Sequence, residues 1–136
     1  MSNTKPIGVA YTDQDIIGAD YIYSAGELGY TSAAQGAVTQ ATSKSTGVTL
    51  NESMGRITMN GAALGANTAV TFTLTNSLIS AKDVIIAHVS SGGTAGAYAV
   101  YISAMNAGSA DISLRNMTAG SLSEAVIVNF AIIHGQ

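Results

Sequence analysis

Ala69-Val70-Thr71-Phe72-Thr73-Leu74-Thr75-Asn76 decides how the rest of the chain is read. Val70, Phe72 and Leu74 alternate with Thr71, Thr73 and Thr75, a period of two that puts apolar groups on one side and hydroxyls on the other. Valine, phenylalanine and threonine suit a pleated, half-buried surface. The segment is therefore predicted as a strand with a threonine outer face. On either side the same period recurs in Arg56-Ile57-Thr58-Met59, in Asp111-Ile112-Ser113-Leu114-Arg115, and in 98–103, where Tyr98, Val100 and Ile102 alternate with Ala99, Tyr101 and Ser103. Residues 84–89 and 125–133 read as strands apolar on both faces, and shorter β-like runs fall at 38–42 and 48–50. About eight strands result.

Turn formers separate them: Ser45-Thr46-Gly47, residues 51–55, Asn60-Gly61, residues 90–96, Asn106-Ala107-Gly108 and residues 116–121. Glycine and asparagine there supply the positive φ that tight turns require. Short strands at such spacing predict an all-β fold, a jelly-roll-like antiparallel β-sandwich. One signal points elsewhere. Ser121-x-x-Glu124 ahead of an apolar run has the form of a helix capping box. The run behind it, Val126, Ile127, Val128, Phe130, Ile132 and Ile133, is rich in β-branched residues, so a strand is expected there.

Charge divides the chain unequally. Residues 1–36 carry Lys5 against Asp13, Asp15, Asp20 and Glu27, one cation and four anions, a net of −3. Residues 37–136 carry four of each sign and are neutral overall. Four of the six tyrosines, Tyr11, Tyr21, Tyr23 and Tyr30, and the single proline, Pro6, also fall in the first part. The chain is read as an extended N-terminal arm, 1–36, and a sandwich domain, 37–136.

Composition narrows the function classes. With 47% hydrophobic and 10% charged residues the chain can bury a core, which excludes wholesale disorder. No apolar run approaches the ~18 residues of a membrane helix, so no membrane partner is expected. Five basic against eight acidic residues provide no footprint for nucleic acid. There is no cysteine, hence no disulfide frame and no thiolate metal site. The opening Met-Ser-Asn-Thr-Lys-Pro lacks the charged-then-apolar pattern of a secretory signal, so synthesis and retention in the cytoplasm are expected.

Candidate chemistry is sparse, and neither an enzyme nor a cofactor is expected. His88 and His134 end apolar strands and are read as hydrogen-bonded structural residues, since no nucleophile elbow accompanies them. Asp13, Asp15 and Asp20 lack the closing glutamate of a calcium loop and are read as solvated charges. Ser91-Gly92-Gly93-Thr94-Ala95-Gly96 resembles a phosphate-cradling loop only superficially. No lysine and no helix follow it, and it is read as a hairpin loop. Asn51-Glu52-Ser53 and Asn116-Met117-Thr118 match the glycosylation sequon incidentally.

The arm is the most informative stretch. Ile7, Val9 and Tyr11 alternate with small residues, and Ile16, Ile17, Tyr21 and Tyr23 follow among glycines and acids. Tyrosine buries a large area while keeping a polar tip, and it is enriched where protein meets protein. These seven residues are expected to contact another chain. Eight charged residues in the hundred of the domain are few for a monomer. The two-sided strands also demand cover on a second face, which a symmetric homo-oligomer would supply. Ile85, Ile127, Val128 and Ile133 are the candidates for oligomer or core contacts.

Residues 36–48, Gly-Ala-Val-Thr-Gln-Ala-Thr-Ser-Lys-Ser-Thr-Gly-Val, and 118–125, Thr-Ala-Gly-Ser-Leu-Ser-Glu-Ala, resemble a module of tailed-bacteriophage virion proteins. The blocks Gly55-Arg56-Ile57-Thr58-Met59-Asn60 and Ser91–Gly96 fit it as well, so the resemblance spans roughly residues 36–133. It is similar to the small β-sandwich capsid decoration, or cement, proteins. That implies a homotrimer on the outer capsid surface, with the major capsid protein as partner and stabilised contacts between capsid subunits. The same kind of module occurs in head fibres and tail-associated proteins, which leaves a host-glycan adhesion module as the alternative.

Overall fold

In the computed structural model, which describes residues 18–135, the predicted alternation is realised on eight strands. They are β1 (Gln35–Thr39), β2 (Val48–Thr49), β3 (Met54–Thr58), β4 (Ala69–Thr75), β5 (Val84–Ser91), β6 (Tyr98–Asn106), β7 (Ser109–Asn116) and β8 (Ile127–Ile133). They form two four-stranded sheets, in the orders β1-β3-β8-β5 and β2-β4-β7-β6, packed as a sandwich. Phe72 and Leu74 point inward from β4 while Thr71, Thr73 and Thr75 face out. Ile112 and Leu114 of β7, with Val128, Phe130 and Ile132 of β8, supply the facing core layers. Each such side chain contributes about 1.5–3 kcal/mol by leaving water.

The antiparallel, jelly-roll-like expectation is corrected to a mixed sandwich. β1 pairs with β3 in parallel, and β2 with β4 in parallel, while the other pairings are antiparallel. The cause is the winding. From β1 to β6 the chain changes sheet at every connection, so alternate strands run the same way, and those alternate strands become neighbours. Only β6 and β7 are successive strands within one sheet, joined through Ala107 and Gly108, whose φ of 81° is the positive value read from the sequence.

Two local expectations change as well, and the strand expected behind the capping box is present as β8. The first strand lies at Gln35–Thr39 rather than 38–42, so the boundary drawn between 36 and 37 falls inside it. It stops because Gln40 turns inward, donating to the carbonyls of Lys44 (3.0 Å) and Thr46 (2.8 Å) and accepting from the Asn60 N–H (3.0 Å). Residues 91–96 are not a hairpin loop but an arch between sheets, from β5 to β6. The capping-box residues form no helix: Leu122 bridges to Leu64, and Glu124 reaches the arch instead.

Gly55 shows how tightly the layers meet. A Cβ there would stand 2.5 Å from both the Leu50 methyl and the Phe130 ring. The bare backbone of β3 lets that ring into the core.

Candidate interaction surface

The two outer faces of the sandwich differ in chemistry. On β4-β7-β6 the outward residues form a hydroxyl ladder. Thr71 Oγ1 lies 2.7 Å from Ser113 Oγ, which donates to Ser103 Oγ at 3.0 Å, and the Thr73 hydroxyl donates to Asp111 Oδ1 at 2.8 Å. Groups satisfied along the sheet leave a finished, water-compatible surface.

The outer face of β1-β3-β8-β5 is unfinished. Val84 pairs with Ile133, and Ile86 with Ala131 beside Met54, so one end of the face is a continuous apolar row. Val84 is 59% exposed, and Ile86 and Ile133 are each 55% exposed. Farther along the same face Arg56, Asn129 and His88 share a row, with Arg56 and His88 exposed. The second apolar side read from the sequence for β5 and β8 is thus left open by the described residues.

The lead-in before β1 continues this patch. The Tyr30 hydroxyl donates to the Ile132 carbonyl, fixing where the lead-in leaves the sheet. Leu28, Gly29 and Tyr30 then border a notch of about 380 Å³ with Ala131, Ile132 and Ile133. Beyond it Leu28 is 90% exposed and Tyr23 88% exposed, and the Tyr21 and Tyr23 rings stack with centroids 5.9 Å apart.

The structure sorts the residues singled out from the sequence. Tyr21 and Tyr23 are exposed in the lead-in. Ile7, Val9, Tyr11, Ile16 and Ile17, with Asp13 and Asp15, lie outside the described residues. Ile85 and Val128 belong to the core, whereas Ile127 is half-buried and Ile133 exposed on the outer face. Val84, Ile86, Leu28 and Tyr30 belong to the patch and were missed. The signal for the first two was present, since a buried Ile85 forces its neighbours on the strand to the opposite side.

Two polar clusters pin the ends of the sandwich. Before β5, the buried Asp83 accepts from the Ser80 N–H and hydroxyl (2.8 Å each) and from the Gly135 N–H (2.9 Å), with His134 Nδ1 at 3.1 Å. The backbone N–H groups of Ser80 and Gly135 chiefly hold its carboxyl well below the usual carboxylate range. His134 is the hydrogen-bonded structural residue expected; His88 is instead exposed.

At the opposite end Glu124 accepts from the Thr94 N–H (3.1 Å), the Thr94 hydroxyl (2.8 Å) and the Tyr98 hydroxyl (2.9 Å). These bonds, the Thr94 N–H first, draw its carboxyl below its ordinary value. Burial, the Glu124 hydrogen bond and the Glu124 charge push Tyr98 up to about 12. Lys44, almost fully buried, donates to the carbonyls of Asn60 and Glu124. Burial lowers its pKa, partly opposed by the Glu124 carboxylate. Asn116, the sequon asparagine, is fully buried, its amide donating to the carbonyls of Leu64, Gly65 and Gly120. Its role is to tie loops together.

Asp83 makes stability pH-dependent. Its folded pKa lies below the unfolded value of about 4. The stabilisation is therefore complete above about pH 4 and is lost as pH falls further, because the unfolded chain binds the proton more readily. Asp83→Asn should lower the thermal midpoint at neutral pH and flatten its decline in acid. Parallel acid limbs for the two proteins would show that Asp83 does not govern it.

The fold and its surface define a two-sheet mixed β-sandwich with one open apolar face. No protein-family model, no curated protein and no solved structure matches the chain. Among the described residues no helix is long and apolar enough to cross a membrane, and no three His, Asp or Glu side chains gather as a metal set.

Proposed function

We propose that the chain is a bacteriophage structural protein, a capsid cement or decoration protein. It trimerises on the outside of the head and stabilises contacts between major capsid subunits. The observation that carries this reading is the asymmetry of the sandwich: a finished hydroxyl face on one side, and on the other an apolar row running into an exposed tyrosine-bearing lead-in. The resemblance of residues 36–133 to virion modules supports the same reading. A cement protein needs no reaction. It buries apolar area across subunit joints, and because it binds the assembled shell it shifts the equilibrium toward that shell by mass action.

The test is direct. Undecorated heads assembled from the cognate major capsid protein should co-sediment with the purified chain to a saturable ratio. Their disruption temperature should rise with its concentration. Heads that sediment free of it at saturating concentration would overturn the assignment.

A further inference from the structure

We propose that residues 21–28 of one copy lie across the open face of β8 and β5 of a neighbouring copy, so that exchange of lead-ins closes the oligomer. Two surfaces of one chain are unsatisfied side by side. Val84, Ile86 and Ile133 form an uncovered apolar row, and Tyr21, Ile22, Tyr23 and Leu28 are 66–90% exposed. The chain's own lead-in does not cover its own row. It is anchored at Ile132 by the Tyr30 hydroxyl and borders Ile133 at Leu28, yet Val84, Ile86 and Ile133 stay 55–59% exposed.

Reach and charge both fit a second copy. The ten residues from Tyr21 to Tyr30 span up to about 30 Å when extended, roughly the width of a domain this size. Asp20 and Glu27 flank the apolar stretch and are exposed. The face they would meet carries Arg56, exposed, with His88 in the same row. The one ion pair among the described residues, His134 with Asp83, does not involve Arg56. Tyrosine and leucine anchors would fill the apolar row while the acids set the register against Arg56. Donor and acceptor patches differ, and a three-fold exchange in which each lead-in reaches the next copy closes as a ring.

This deepens the self-association half of the proposed function and is independent of the capsid half. The lattice contact then stays with residues 1–17, and Tyr21 and Tyr23 serve the neighbour.

The experiment uses the isolated full chain without heads. Sedimentation at micromolar concentration should show three times 13.7 kDa. Ile86→Asp, and separately Tyr21→Ser with Tyr23→Ser and Leu28→Ser, should each give a folded 13.7 kDa monomer by sedimentation and circular dichroism. The chain has no cysteine, so a Leu28→Cys, Ile86→Cys double variant can be joined with a short bismaleimide without side reactions. Covalent trimers on a denaturing gel support exchange. A cross-link closed within one chain, a wild-type monomer throughout the series, or an Ile86→Asp protein that stays trimeric would each overturn it. A trimer that fails to bind heads would overturn the cement assignment alone.

Discussion

A chain lacking residues 1–17 is expected to fold and to trimerise, yet to bind undecorated heads at least about 100-fold more weakly than the full chain. Folding should survive because every residue of the buried core lies between Val48 and Ile132. Trimerisation should survive because the exchange contact begins at Tyr21. Head binding should not, because the deleted stretch holds Ile7, Val9, Tyr11, Ile16 and Ile17. Interface energy concentrates in a few such anchors, and losing two or three at about 1.4 kcal/mol each already gives that factor. The domain at 37–136 is neutral overall and the truncated chain keeps a net of only −2, from Asp20 and Glu27, so no strong long-range field replaces them. Raising salt from about 0.1 M to about 0.5 M should weaken the intact protein only modestly, since exposed charges are screened while apolar burial is not. Co-sedimentation of truncated and intact chains with empty heads measures both effects. Equal decoration by the truncated chain would move the capsid contact onto the domain itself.

Two substitutions on β8 should have opposite consequences although both exchange an aliphatic residue for aspartate. Val128 is 0% exposed between the sheets, and a carboxylate there has neither water nor a counter-charge. Val128→Asp should cost about 3–5 kcal/mol, a large share of the 5–15 kcal/mol typical of a domain, and leave most of the chain unfolded at 37 °C. Ile133 points to the outer face, where a carboxylate remains hydrated. Ile133→Asp should keep the monomer's unfolding free energy, from urea titration, within about 0.5 kcal/mol of the parent and act on association only. Urea titration and sedimentation of both variants separate the cases. An unfolded Ile133→Asp, or a stable Val128→Asp, would mean the inward and outward faces of β8 are assigned in reverse.

This pair also shows where sequence reading stops. Ile85, Ile127, Val128 and Ile133 look alike in a strand apolar on both sides, and periodicity does not say which side a partner sheet will cover. The structure decides by register: Val128 pairs with Ile57 and Val89 over the core, and Ile133 with Val84 beyond the end of β3. The buried polar pins were equally hidden. Lys44 and Asp83 lie between strands and Asn76 and Asn116 at strand ends, where nothing in the local sequence marks burial, yet all are buried. Each is tolerated because neighbouring backbone groups, brought in from distant loops, meet its hydrogen-bonding needs.

Strand content was legible from local residue patterns alone. Alternation at 56–59, 69–76, 98–103 and 111–115 selects one inward face per strand, and glycine and asparagine mark the turns, because both signals depend only on residues adjacent in the chain. The sequence also exposed the polarity of the molecule, with its net charge and most of its tyrosines in the first 36 residues. Which strands become neighbours emerges from the assembled fold. β1 beside β3 and β2 beside β4 are parallel because the chain crosses between sheets at each turn, and nothing in either strand records the direction of its future partner. The assembled fold likewise decided which apolar side is left open. Burial is a competition among all the faces of the fold, and the face of Val84, Ile86 and Ile133 is the apolar one that the described residues leave exposed.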